Sequence, residues 1–323
     1  MSTRTPKLTI VVPCYNEEAV LPVTGPLLAD ELASLVASGK ASAESRILLV
    51  DDGSGDGTWR TIVDLAGRDP RFIGIRQSRN RGHQRALWAG LMEARGLGCD
   101  ATITIDCDGQ DDISAMSDMM DEYAKGADVV YGVRNDRSSD SFFKRFTAEG
   151  FYRLQAAMGV EAVPNHADYR LLSSRVLDAL SQFREVNLYL RGLIPLAGFR
   201  SAQVGYRRER RVAGESHYGL LKMLSFACDG ITSLTIRPIY FVLLCGVALT
   251  AAGALALAIL CAAGAGGRAA AVVSSVVALV GGLNLVGVGV VGEYVGKAYL
   301  ESKGRPRAII CERTWDRGEG VAP

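Results

Sequence analysis

Two stretches of this chain leave few choices of fold. Residues 239–263 and 269–292 contain no charged side chain, and at 25 and 24 residues each exceeds the roughly 20 that a helix needs to cross a bilayer. A buried core helix would account for one such stretch, but two in succession point to membrane spans. Only Gly264-Ala265-Gly266-Gly267-Arg268 lies between them, a turn that forces a hairpin. Both flanks then share one side of the membrane. Arg237 precedes the first span, and Lys297, Lys303, Arg305, Arg307 and Arg313 follow the second, whereas the turn carries Arg268 alone. The positive-inside bias puts both flanks, and the large N-terminal part with them, in the cytoplasm. The first apolar run, residues 8–12, is too short for a signal-peptide core.

Ahead of the hairpin, strands and helices alternate. Residues 8–13, 46–50, 71–77, 101–105 and 128–131 read as strands, the first stopped by Pro13, and residues 82–95 as a helix. Such alternation predicts a mostly parallel α/β sheet with its ligands at the carboxyl ends of the strands. Three acidic loops fall there: Tyr15-Asn16-Glu17, Asp51-Asp52, and Asp106-Cys107-Asp108. In an extended segment Asp106 and Asp108 point the same way while Cys107 turns aside. Converging carboxylates suit Mg2+ or Mn2+ held jointly with substrate phosphates. The plainer alternative is an acidic strand-to-helix turn.

The loop Asp51-Asp52-Gly53-Ser54-Gly55-Asp56-Gly57-Thr58 is not a P-loop, because it lacks the lysine and hydroxyl of that motif. Its charge would repel a bare pyrophosphate, so a diphosphate could sit at this edge only through a metal. Glu17 and Asp52 suit a base or ribose. Residues 141–158 read as a basic, aromatic amphipathic helix, either at the bilayer surface or packed on the sheet. Arg207-Arg208-Glu209-Arg210-Arg211 would attract anionic headgroups by about 1 kcal/mol per residue, or bind a phosphate ligand. The predicted organisation is a domain over 1–200, a juxtamembrane segment over 201–237, two spans within 238–293 and a cytoplasmic tail over 294–323, loosely ordered from Glu301 to Pro323. Lys+Arg 36 against Asp+Glu 35 gives a net charge of +1, so nothing points to nucleic acid. The seven scattered cysteines form no CxxC and are expected to be reduced thiols.

Taken together, the motifs resemble those of inverting family 2 glycosyltransferases with a GT-A fold, and within them the polyprenyl-phosphate branch. The carrying residues are Val12-Pro13-Cys14-Tyr15-Asn16-Glu17-Glu18, the 51–58 loop, and Arg79-Asn80-Arg81-Gly82-His83-Gln84. With them go Asp106-Cys107-Asp108-Gly109-Gln110-Asp111 and Arg211-Val212-Ala213-Gly214-Glu215-Ser216. They span about residues 7 to 236, and the two-span layout covers the remainder. The resemblance implies that Pro13, Tyr15 and Glu17 frame the nucleotide base, and Asp52 the base or ribose. It makes Asp106 and Asp108 the metal-binding pair, with Asp108 the direct ligand and Gln110 beside the donor. Arg134 and Arg137 fall at an acceptor loop, Arg211 is a further phosphate-binding arginine, and Asp168 is a base or a sugar-orienting residue. His217 stands where related dolichol enzymes have lysine, and a neutral histidine would bring no charge to a diphosphate.

The function this implies is metal-dependent transfer of a sugar, UDP-glucose first, to a polyprenyl phosphate at the plasma (inner) membrane. Alternatives are a UDP-N-acetylhexosamine, GDP-mannose or aminoarabinose donor, or a non-polyprenyl lipid or glycan acceptor. A scaffold without turnover is opposed by the intact Asp106, Asp108 and Gln110. A channel is opposed by two spans without intramembrane charge. The Gly292-Glu293-Tyr294-Val295-Gly296 spacing is compatible with helix association and a homo-oligomer.

Overall fold

A computed structural model of the chain describes residues 4–134, 166–207, 232, 235–262 and 266–316. Four apolar strands form the centre of its sheet: β1 (Leu8–Cys14), β2 (Arg46–Asp51), β3 (Phe72–Gln77) and β4 (Ala101–Thr104). They pair in parallel, in the order β3-β2-β1-β4. Parallel strands need crossovers, supplied here by α1 (Leu21–Ala37), α2 (Thr58–Arg68) and α3 (His83–Gly96). After α4 (Ala115–Ala124) come β5 (Val129–Arg134), β6 (His166–Ser173), α5 (Ser174–Gln182), α6 (Leu190–Leu196) and β7 (Ser201–Tyr206). β6 inserts antiparallel between β4 and β5, and β7 runs parallel to β5. With β8 (Ile310–Arg313) antiparallel on β3, the order is β7-β5-β6-β4-β1-β2-β3-β8.

Alternation along each strand builds two cores. Leu8, Ile10 and Val12 meet Leu28 and Leu32 of α1 and Met116 and Met119 of α4 on one face. Val11, Leu48 and Val50 meet Ala86 and Leu87 of α3, Leu177 of α5 and Leu193 of α6 on the other. Gly90 lets α3 settle onto that second face, because a Cβ there would lie 2.4 Å from Val11 Cγ1. The α3 N-terminus is thereby fixed against the carboxyl end of β1.

Three expectations need correction. β1 does not stop at Pro13 but runs through it to Cys14. Val11 O accepts from Ile105 N and Cys14 O from Asp52 N, so alternation turns the proline nitrogen toward β4, whose ladder has ended. The sheet also extends past residue 200, since β7 reaches Tyr206. The described part of the tail, finally, is docked rather than loose. Besides the β8 ladder, Ser78 N donates to Ile309 O at 2.9 Å and Thr314 N to Gly74 O at 2.9 Å. Trp59 Nε1 donates to Glu312 at 3.1 Å, Arg313 forks onto Glu93 at 2.7 and 3.2 Å, and the Arg307 guanidinium lies 4.2 Å from the Trp88 ring centroid.

Two C-terminal helices, α7 (Arg237–Ala262) and α8 (Gly266–Ser302), contain windows long and apolar enough to cross a membrane. They approach closely at Gly287, where a Cβ would lie 3.2 Å from Val242. α8 continues beyond the expected span end at Gly292, and its 37 residues make it about 55 Å long. The amphipathic stretch 141–158 and the arginine run from 208 onward lie outside the described residues.

Candidate active site

The β1–α1 and β2–α2 loops are woven together. Asn16 adopts a left-handed conformation (φ 55°), which asparagine tolerates better than most residues. Its N–H donates to Ser54 Oγ at 2.9 Å and its Oδ1 accepts from Gly55 N at 3.0 Å. Glu17 N donates to Thr58 Oγ1 at 2.8 Å. The weave presents Tyr15 outward, 49% exposed, with Glu17 half-buried beside it and Pro13 buried in the sheet.

Asp52 is bonded into the loop that precedes α3. It is 2% exposed; Oδ1 accepts from Gln77 Nε2 (2.8 Å) and Arg81 N (2.9 Å), and Oδ2 from Gly82 N (2.9 Å). Burial pushes its pKa up, while the two backbone donors pull against that. Its oxygens brace the 79–82 loop. Gly53 makes that brace possible, since at φ +67° a Cβ would lie 2.4 Å from the Arg79 carbonyl carbon. Asp51 is wholly buried, accepts from Ser54 N at 2.9 Å and pairs with Arg76 at 3.2 Å.

At the end of β4, Cys107 points into the core, 3% exposed, while Asp106 and Asp108 flank it half-buried. Gln110 N donates to Asp108 Oδ1 at 3.1 Å. The Asp106 carboxyl is pushed up to about 6, first by burial, with Asp168, Asp111 and Asp108 adding to the shift and His83 opposing it. The donor set is hard oxygen, which fits Mg2+ or Mn2+. Among the described residues no group of three His, Cys, Asp or Glu side chains could hold a metal alone. Two carboxylates therefore fit a cation that completes its shell with substrate oxygens and water.

Asp168 lies across from this pair on β6. Its carboxylate is 6% exposed and accepts from Arg191 (3.1 and 3.3 Å), from Arg170 Nη2 and from Gln84 Nε2 (3.3 Å). His83 Nε2 stands 3.2 Å from Asp168 Oδ2 and 3.6 Å from Asp106 Oδ1, joining the two acids. Burial would raise the Asp168 pKa, but Arg191, Arg170 and His83 outweigh it and hold the carboxyl well below the usual range. On the far side, Tyr206 Oη donates to Asp111 at 2.6 Å, and Arg134 donates to Tyr206 at 3.1 Å and lies 3.5 Å from Asp111.

The structure thus gathers Asp106, Asp108, Gln110, Asp168 and Arg134 at the carboxyl ends of the central strands, with Tyr15 and Glu17 on the neighbouring loop. Arg137, Arg211 and His217 lie outside the described residues. Sequence reasoning gave no role to His83, Arg170, Arg191, Asp111 or Tyr206. His83 was visible in a quoted motif, and Arg170 by its i+2 spacing from Asp168. Arg191 and Tyr206 become legible only once β6, α6 and β7 are placed.

An acidic cluster beside woven βα loops thus lies at the carboxyl ends of a mostly parallel α/β sheet. The chain belongs to glycosyl transferase family 2, whose family model matches residues 9–180. It is 44% identical to the uncharacterized glycosyltransferase YkoT of Bacillus subtilis over 96% of this chain and 93% of that one. It is 35% identical to the bactoprenol glucosyl transferase of Shigella phage SfX, over 95% and 99% respectively. A prophage bactoprenol glucosyl transferase homolog of Escherichia coli is 34% identical over 94% and 98%. The protein is a glycosyltransferase.

Proposed function

We propose that the protein transfers a sugar with inversion from a nucleotide-sugar, UDP-glucose in the first instance, to a polyprenyl phosphate. In this reading α7 and α8 form a hairpin in the plasma membrane, and the sheet domain is cytoplasmic. The observation that carries it is the pairing of Asp106 and Asp108 with an Asp168 already saturated by cations. The similarity to bactoprenol glucosyl transferases along nearly the whole chain supports the choice of acceptor and donor.

Tyr15 offers an exposed ring for the base, with Glu17 alongside. Asp106 and Asp108 would hold Mg2+ or Mn2+, a Lewis acid for the charge that develops on the departing diphosphate. A lipid phosphate has a second pKa near ~6 and is largely dianionic at pH 7, so it needs cationic residues more than a base. Asp168, bound by two guanidinium groups, has little proton affinity near neutrality. Its role is to fix Arg191, Arg170 and His83 around the sugar. Arg134 supplies positive charge at the rim, and Arg137, Arg211 and His217 are assigned to the phosphates on the resemblance alone.

Detergent-solubilised protein given labelled nucleotide-sugars and polyprenyl phosphate should place label from UDP-glucose in the lipid phase. Asp108→Ala should lower that label by about 100-fold or more, the scale of losing an electrostatic stabiliser. Absence of label with every donor would overturn the reading. Label from another donor alone would keep the reaction class and change the sugar.

A further inference from the structure

The end of α8 is bonded into the same network that holds Asp168. Glu301 lies in its last turn, past the charge-free stretch 269–292 and at the very end of the apolar window Leu279–Ser302. Its Oε2 accepts from Val186 N at 2.6 Å, and its Oε1 from Asn187 N at 2.8 Å and Asn187 Nδ2 at 2.9 Å. Both oxygens are thus spent on one short loop, the link between α5 and α6. Just past α8, Arg307 donates to Phe183 O at the start of that loop and stacks on Trp88 of α3. The segment following the second span therefore grips the 183–187 loop at both ends.

α6 begins three residues after Asn187, and its first two residues reach the site. Leu190 N donates to Gln84 Oε1 at 3.1 Å, and Gln84 Nε2 donates onward to Asp168 at 3.3 Å. Arg191 makes the direct fork onto Asp168 at 3.1 and 3.3 Å. Val186, Tyr189 and Leu190 are 8%, 6% and 1% exposed, so the link is packed and has little slack.

We propose that Glu301 is a positioning residue: by anchoring the Val186–Asn187 amides to the end of the second apolar helix, it sets Arg191, and through it Asp168. The proposal rests on the reading of Asp168 as part of the transfer site. It makes the membrane hairpin a structural member of that site, so a tilt of α8 is transmitted to the Arg191–Asp168 pair. Charge-assisted bonds from two successive backbone amides are short and directional, which suits a pin rather than a surface contact.

The test uses the full chain in detergent or nanodiscs. Glu301→Ala should lower kcat by about tenfold or more with donor KM within about twofold, the signature of a site displaced rather than vacated. Glu301→Gln, which keeps one accepting oxygen, should fall between. Combined with Arg191→Lys, Glu301→Ala should add little to the single loss, because both act on one element. Hydrogen exchange should rise in residues 184–192 of Glu301→Ala while the β1 and β2 amides stay protected. An unchanged kcat, multiplicative losses in the double variant, or unchanged exchange over 184–192 would each overturn the proposal. If wild type transfers no sugar from any donor, the functional reading fails, and the exchange comparison alone decides the anchoring.

Discussion

Replacing Asp168 by asparagine would exchange one oxygen for an amide and leave three basic groups without their shared anion. Arg170 is 1% exposed, and its Nη1 is already a buried donor with no acceptor among the described residues. Removing one partner of a buried ion pair costs about 3–5 kcal/mol, since the other charge stays desolvated. For a chain of this size that is a fall of roughly 10 °C in Tm. Asp168→Asn is therefore expected to lose both stability and turnover, measured by thermal unfolding and by transfer to lipid. Retention of both would refute the role given to Asp168.

The pH dependence of this difference has a definite sign. Asp168 is depressed in the folded state, so its contribution is present above the unfolded carboxylate value of ~3.9 and is lost as pH falls through the lower folded value. His83 is opposed by burial but raised by Asp168 and Asp106, so its contribution is full below ~6.5 and is lost as pH rises through its folded value. The stability gap between wild type and Asp168→Asn should be widest between pH ~4 and ~6.5 and narrow on either side. Unfolding midpoints taken from pH 3.5 to 8 would show it. A gap that widens steadily toward pH 8 would contradict the assignment.

At the scale of elements, the strands that could be read in advance are those buried on both faces. β1, β2, β3, β4 and β5 announce themselves as largely apolar runs, because little of either face needs a polar residue until the chain reaches the site. β6 escapes that test for a functional reason. Asp168 and Arg170 fall on one face where an ordinary strand would place apolar residues, so the pattern is broken by the site itself. β8 escapes it because four residues with an exposed Cys311 carry too little signal, and its partner lies far back in the sequence. The Asp106–Asp108 pair and the Tyr15–Glu17 loop could be singled out locally, whereas the cationic side of Asp168 depended on long-range pairing.

β8 also closes the open edge of β3. Deleting residues 309–323 would uncover that edge, release Glu312 from Trp59 and Arg76, and strip Arg313 from Glu93, with Arg307 left in place. An exposed strand edge invites pairing between chains. The truncated protein should melt several degrees lower and shift toward larger species on size-exclusion chromatography. An unchanged Tm and elution volume would show that β8 is dispensable to the sheet.

At the scale of the whole molecule, a helix of about 55 Å cannot be contained in a hydrocarbon layer of about 30 Å. Under the proposed reading, a span over 269–292 leaves the last turns of α8 clear of the bilayer, where Glu301, with Arg307 just beyond the helix, meets the sheet domain. α8 and β8 thus both contact that domain, and under the proposed reading its orientation follows that of the two spans. Lys297 near the end of α8 and Lys303, Arg305 and Arg307 after it, against Arg268 alone at the turn, place the domain in the cytoplasm under the proposed reading. Cys311 reports on this directly, because it is exposed while Cys14, Cys99 and Cys107 are buried. A variant retaining Cys311 as its only cysteine should resist a membrane-impermeant maleimide in intact cells and react in inverted vesicles. Reaction in intact cells would put the sheet domain outside, away from any cytoplasmic nucleotide-sugar, and would overturn both the topology and the donor assignment.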